Sequence, residues 1–370
     1  MSNGAAMPRR ALHVFATFGI GGPQMRQCEL IARMGPEWRH DIVAMDGNFA
    51  ASARAPKELL GELMGPPGGR GFASSVRAFV RMLRQRNPDL LLTYNWGSIE
   101  ACAAARIVDV RNHVHHEEGF GPTEQTARHA RRNWIRRLAL ARAHAVVVVS
   151  NGLLSIARNE WRVPLQKLMF LPNGVDLARF RPRDVVESTA LRTCVVGAVG
   201  GLRAEKDHAT LLRAFAKMRS DARLELTGDG PERAALEALA RELRIDGRVQ
   251  FCGSTDDTAA SYRRMDVFAL SSRTEQMPIS MLEAMASGLP VASTDVGDVR
   301  AMLPVSARGA LAPAGDDAQL ARCLDALVED PVRRAREGIA NRAQALASHD
   351  ADECLQRYVD LYMQAARPQR

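Results

Sequence analysis

Apolar positions along the chain fall into two series of short runs. Each run leads into a turn, often bearing glycine, and then into a stretch with apolar residues at helical spacing. In the first half the runs are ALHVFAT (11–17), HDIVAM (40–45), DLLLTYN (89–95), RNHVHH (111–116) and AHAVVVVS (143–150). Amphipathic stretches lie between them, among them MRQCELIARM, SSVRAFVRMLRQR (74–86) and SIEACAAARIV (98–108). Strands that alternate with helices predict a parallel sheet covered on both faces. The same grammar restarts at TCVVGAVGGL (193–202). It continues through RLELTG (223–228), VQFCG (249–253), VFALSS (267–272) and PVASTD (290–295), with helical patterns at 207–219 and 232–244. The expected architecture is α/β, with two parallel-sheet domains over 1–180 and 185–350 and LPNGVDLARFRPRD (171–184) as the linker between them. Two such sheets are expected to face each other across a cleft at their C-terminal edges, where α/β folds bind ligands. DECLQRYVDLYMQ (352–364) has helical spacing, and the C-terminal helix over 351–370 is expected to pack back on the first domain.

Length agrees with two domains, because 370 residues exceed one ordinary core. Hydrophobic residues at 46% and charged residues at 25% suit a globular protein. Aromatics at 5% argue against a surface that stacks bases, so no nucleic-acid partner is expected. The net charge of +8 favours anionic partners, such as nucleotide phosphates or an acidic membrane surface. Six cysteines without CxxC pairing read as reduced thiols. Gly19, Gly21 and Gly22 interrupt the N-terminal apolar run before it reaches signal-peptide length, and no stretch is long enough to span a membrane. A cytoplasmic protein, free or peripheral on the inner face of the membrane, is the expectation.

TEQMPISMLEAMASGLPV (274–291) places Glu275 and Glu283 in an otherwise small and apolar run. It follows the strand VFALSS, so residues 273–277 form the turn at the strand's C-terminal end, and Pro278 suits the first helical position. Glu275 then lies in the loop, with Glu283 about a turn and a half into the helix. Free amides and the dipole at a helix start favour an anion such as phosphate. The plainer alternative makes Glu275 a dipole partner and Glu283 an exposed side chain. Gly197, Gly200 and Gly201 lack the full dinucleotide-binding spacing and are read as letting the chain approach phosphate. A metal set of His113, His115, His116 and Glu117 is disfavoured because neighbours on one strand converge poorly. Asp350 and Asp352 read as helix capping. No bound metal is expected. In RHARRNWIRRLALARAHA (128–145), Arg128, Arg132 and Arg136 form one stripe and Trp134, Leu138 and Ala141 another. That stretch reads either as a helix packed on the core with a solvated face or as a dock for anionic lipid head groups.

Glu275 and Glu283, followed by AMASGLPV and TDVG, resemble the E-x7-E motif of retaining family-four glycosyltransferases of the GT-B fold. GAVGGLRAEKDHATLLRAF, LELTGDGPERAALEALARELRIDGRVQFCG, YRRMDVFALSS, VVVVSNGLL, LPNGVDLARFRP and FGIGGPQMR are similar to the same family in order and spacing. The resemblance implies two Rossmann-like domains. It also implies sugar transfer from a nucleotide-diphosphate donor to a hydroxyl on a glycan or lipid-linked acceptor, with retention and with no cofactor beyond the donor itself. It places Glu275 by the donor sugar and Glu283 at the ribose. Lys206 would hold the diphosphate with backbone amides of Gln276, Met277, Pro278 and Ile279 around it, although Pro278 has no N–H to offer. Gly22 belongs to the N-terminal glycine-rich loop. The family's arginine before the loop leucine is Gly201 here, with Arg203 two residues on, and its Gly-Phe after the first glutamate is Gln276-Met277. A histidine near the donor sugar would be His115 or His116. Base recognition is expected around Phe251 to Ser254. A nucleotide-sugar epimerase and a non-catalytic nucleotide-sugar-binding protein are the alternatives on the same fold.

Overall fold

The computed structural model describes residues 7–69, 71–120, 124, 129–183 and 193–367. The chain forms two compact units, Met1–Pro172 with Leu355–Arg370, and Asn173–Cys354.

The first unit holds seven parallel strands: β1 (Arg9–Phe15), β2 (Trp38–Ala44), β3 (Leu60–Met64), β4 (Leu90–Tyr94), β5 (His113–Glu117), β6 (Ala145–Val148) and β7 (Leu168–Phe170). Their spatial order is β3-β2-β1-β4-β5-β6-β7. The order reverses between β1 and β4, whose C-terminal ends therefore border a crevice. The second unit repeats the plan with β8 (Cys194–Val199), β9 (Ala222–Thr227), β10 (Val249–Gly253), β11 (Val267–Leu270), β12 (Val291–Thr294) and β13 (Leu311–Ala312), in the order β10-β9-β8-β11-β12-β13. Its reversal lies between β8 and β11. Both sheets are doubly wound, as the alternation of strands and helices predicts. β3, β7 and β13 carry no clear signal in the sequence. All three are edge strands, short and partly exposed, so burial imposes no pattern on them.

Residues 173–183, expected as part of a linker, pack on the second unit instead. Val175 and Phe180 enter its core beside Met277, Met281 and Met285, and Arg342 donates to the carbonyls of Leu177 and Phe180. The C-terminal helix Ala351–Ala365 runs into the first unit, where Leu355, Tyr358, Val359, Leu361 and Tyr362 fill the main core. Glu353 N–H donates to Asp350 Oδ1 at its start, so the only D-x-D sequence serves as a cap. All six cysteines are free thiols. No helix among the described residues is long and apolar enough to cross a membrane.

The basic helix Ala130–Ala139 packs on the core through its arginine stripe. Arg136 is 1% exposed. It donates to Glu124 through both terminal nitrogens at 3.1 and 3.0 Å and to Glu117 through Nε at 3.3 Å. Its guanidinium lies 4.8 Å from the rings of both Trp96 and Trp161. Arg132 also reaches Glu124, and Arg128 lies outside the described residues. Trp134 is 62% exposed and Leu138 38%. Two buried carboxylates and two indoles form an interior that suits a flat, weakly hydrated guanidinium better than an aliphatic chain. The arginine stripe therefore turns inward, and no lipid dock can be built from it.

Candidate functional site

The loops after β8 and β11, the two strands at the reversal of the second sheet, build the site. After β8 the chain passes Gly200 and Gly201 into a single turn, Ala204–Lys206. This loop packs backbone on backbone against its neighbour. A Cβ at Gly228, where φ is +142°, would stand 1.9 Å from the Gly200 carbonyl oxygen. Asp207 takes the left-handed conformation at φ +46° and caps the helix His208–Lys217 through Thr210. Its carboxylate also accepts from Arg273 Nε at 2.9 Å, and Arg273 N–H donates to the Glu205 carbonyl. Ser271 Oγ donates to the Lys206 carbonyl. These bonds tie the two loops together and fix the start of the lysine stem.

Lys206 Nζ meets Glu275 Oε1 at 2.5 Å, and Ser272 Oγ donates to the same oxygen at 2.7 Å. The pair is partly exposed, so both charges remain accessible. Gly297, in the TDVG sequence, supports the loop from behind. Its φ is +56°, and a Cβ there would stand 2.1 Å from the Glu275 carbonyl oxygen. Asp298 N–H then donates to the Gln276 carbonyl.

Pro278 sits one position earlier than expected, as the cap residue of the helix Ile279–Ala286. The first amides of that helix have no intrahelical partners and lie directly beyond Gln276 and Met277. The Met277 side chain is buried in the apolar core, and its carbonyl accepts from Asn173 Nδ2 at 3.0 Å. Residue 277 therefore anchors the turn, and only its backbone is left for a ligand. Glu283 lies one turn further on and is partly buried. Tyr262 OH approaches both Glu283 Oε2 at 2.6 Å and the Ser280 carbonyl at 3.0 Å. Burial raises the Glu283 carboxyl to about 7, with the Tyr262 hydrogen bond and the Arg179 charge opposing. It is not the solvated side chain of the plainer alternative.

Arg203 is exposed, and its Nε lies 3.2 Å from the point where a Cβ at Gly201 would stand. The side chain folds back over the glycine. A guanidinium thus occupies the place that a side chain at 201 would enter. Phe251 to Ser254 close β10 at the same C-terminal edge of the sheet.

In the first unit, Gly22 opens the helix Gly22–Met34 and is exposed after the loop that follows β1. His115 and His116, by contrast, are each 1% exposed. His115 Nδ1 lies 2.8 Å from Thr93 Oγ1, and its Nε2 faces Glu117 Oε2 at 3.6 Å. Burial disfavours its charged form, but the Cys102 thiol and Glu117 outweigh that and raise its proton affinity. His116, on the opposite face of β5, binds the Thr93 carbonyl and Tyr362 OH, the latter at 2.8 Å. Burial first, and then the Arg26 charge, hold it well below its ordinary value. Neither imidazole is presented to a ligand, because the strand that carries them is covered on both faces. The structure thus corrects the expectation that one of them serves a donor sugar.

Arg26 and Glu118 stand at that strand end instead. They form an ion pair beside the start of the helix Gly22–Met34, with Arg26 4.9 Å from the Tyr358 ring. Arg26 ends the segment FGIGGPQMR, and Glu118 lies two residues beyond His116. Only the fold makes them neighbours. Ligand atoms of Cys102, His113 and His115 lie within 4.8 Å of one another. Thr93 Oγ1 is already 2.8 Å from both imidazoles and 3.3 Å from the thiol, so a hydroxyl holds the middle of that set. His116 points away from it, so the donor set suits a hydrogen-bond hub better than an ion.

What the second unit assembles is an anion cradle. It has one lysine, an arginine folded over a glycine turn, the free amides of a helix start and two carboxylates at different depths. Two family models match the chain. "Glycosyltransferase Family 4" matches residues 20–179, and "Glycosyl transferases group 1" matches 193–330. Among curated relatives, the N-acetyl-alpha-D-glucosaminyl L-malate synthase of Bacillus anthracis is 26% identical over 242 residues, covering 64% of this chain and 63% of that protein. A GDP-mannose-dependent monoacylated alpha-(1-6)-phosphatidylinositol monomannoside mannosyltransferase of Corynebacterium glutamicum is 32% identical over 198 residues, 48% of this chain and 51% of that protein. The chain thus spans under two thirds of the length of these relatives. Among solved structures, HepE of Anabaena in complex with UDP superposes with a TM-score of 0.78 at 18% identity, over 97% of this chain and 100% of that one.

Proposed function

We propose that this chain, which belongs to the glycosyltransferases of family 4, moves a sugar from a nucleotide-diphosphate donor to a hydroxyl acceptor with retention of anomeric configuration. The observation that carries the reading is the Lys206–Glu275 pair, set in front of a helix start at the reversal of the second sheet. Departure of a nucleoside diphosphate develops charge that fixed cations and amides stabilise. Lys206, Arg203 and the backbone amide of Ile279 are the groups that would stabilise that charge. Glu283 accepts from ribose hydroxyls. Glu275, freed from Lys206 when phosphate takes over the ammonium, turns to the donor sugar. The bond from the anomeric carbon to the leaving phosphate oxygen breaks. The acceptor oxygen bonds to that carbon on the same face, and its proton passes to the phosphate oxygen. No carboxylate then needs to act as a glycosidase-type nucleophile. The donor is a substrate, and no further cofactor or metal enters the scheme.

The acceptor is a glycan or a lipid-linked hydroxyl, in line with a relative named for a phosphatidylinositol mannoside. Work at the cytoplasmic side, with peripheral contact to an anionic membrane, belongs to the same reading. A thermal-shift screen with UDP, GDP, ADP and their sugars tests it. One base series is expected to raise the melting point by mass action. Lys206→Ala is expected to cut that affinity by about 10- to 100-fold, the worth of one charge-assisted contact. No shift with any nucleotide, or an unchanged shift in Lys206→Ala, overturns the assignment.

A further inference from the structure

With Arg132 and Arg136 turned inward, the opposite face of the helix Ala130–Ala139 is left exposed among the described residues. Trp134 stands at its centre, one turn before the exposed Leu138. Arg131 and Arg137, three residues to either side of Trp134, are exposed and make no ion pair among the described residues. Neighbouring segments extend the face. Arg106 Nη1 donates to the Leu138 carbonyl at 2.8 Å, which brings up the end of the helix Ile99–Ile107. Lys167 Nζ donates to the Ala141 carbonyl at 2.9 Å, which brings up the turn Leu165–Lys167. Ile107 and Leu165 are each 60% exposed. Arg142 and Arg111 pair with the same Asp109, the one carboxylate these contacts bring to the face.

We propose that this face is a docking surface for an anionic lipid bilayer. Four apolar side chains, one of them an indole, sit among six cations and one carboxylate. An indole and aliphatic chains enter the interfacial region of a bilayer, and the surrounding arginines meet its phosphates. A groove for nucleic acid would need more than one base-stacking ring. The proposal deepens the reading of a lipid-linked acceptor and rests on it, while all its residues belong to the first unit and none to the nucleotide cradle of the second.

Flotation of the full chain with phosphatidylcholine vesicles, and with vesicles containing phosphatidylglycerol as well, tests the proposal. Binding is expected only to the anionic vesicles and to weaken with salt. Trp134 is the one strongly exposed indole among four tryptophans, so the emission of the unmodified chain should shift to the blue on binding. Trp134→Ala with Leu138→Ala, and separately Arg131→Glu with Arg137→Glu, should each weaken binding about tenfold or more. Failure of the unmodified chain to float, or equal flotation of both variants, overturns the proposal. So does binding that responds to the charge variant and not to the apolar one, because an acidic macromolecule would then fit as well. Nucleotide thermal shifts on the same samples separate the two readings. Intact shifts without flotation overturn the bilayer surface alone, whereas flotation without nucleotide shifts keeps the surface and overturns the transferase reading.

Discussion

The proton affinity of Glu283 makes donor binding depend on pH near neutrality. Its carboxyl is raised to about 7 by burial beside Tyr262, and only the ionised form accepts well from a ribose hydroxyl. A nucleotide sugar is the right probe, because its diphosphate carries no proton that titrates between pH 6 and 8. With a pKa near 7, roughly one tenth of Glu283 is ionised at pH 6 and roughly nine tenths at pH 8. The apparent dissociation constant should therefore fall about tenfold over that range if binding needs the carboxylate. Glu283→Gln should flatten the dependence and weaken binding at pH 8 by about 10-fold or more, the loss of a hydrogen bond to a charged group. Tyr262→Phe removes a bond that favours the carboxylate, so its midpoint should move to higher pH. Isothermal titration at five pH values measures all three. Stability should run the other way. The folded state binds the proton more tightly than the unfolded one, so stability falls as pH rises from about 4.5 to about 7 and levels off above. The Gln variant should lose that slope. A dissociation constant that stays constant from pH 6 to 8 in the unmodified chain refutes the placement of Glu283 at the ribose.

Two further outcomes follow from buried contacts. Arg136→Leu strands Glu117 and Glu124 without their shared cation, and should lower stability by about 3–5 kcal/mol in denaturant titration; a loss below about 1 kcal/mol would show that the carboxylates are hydrated after all. Gly297→Ala drives a Cβ into the Glu275 carbonyl at an unfavourable φ. It should cost about 1–3 kcal/mol and also weaken nucleotide-sugar binding, since the same carbonyl positions the loop. Normal affinity with reduced stability would mean that the loop does not depend on its support.

Much of the second unit was legible because its site is local. Strand, turn, Pro278, Glu275 and Glu283 lie within about twenty consecutive residues, so backbone chemistry alone puts one carboxylate in the loop and the other along the helix. The alternation of apolar runs likewise sufficed for two parallel sheets. Lys206 comes from a different strand end, and its pairing with Glu275 depends on β8 and β11 being neighbours at the reversal of strand order.

Tertiary structure alone decided which way ambiguous faces turn. HVHHE reads as a polar strand at a sheet end, yet all five residues are buried, because Thr93, Cys102, Arg136 and Tyr362 arrive from distant segments to satisfy them. Helical spacing separates the arginine stripe from the tryptophan stripe, but it does not say which one meets carboxylates. Glu117 and Glu124 settled that, against the usual order of apolar in and charged out. Periodicity determines that an element has two faces. Partners brought together from far along the chain determine which of them is the inside.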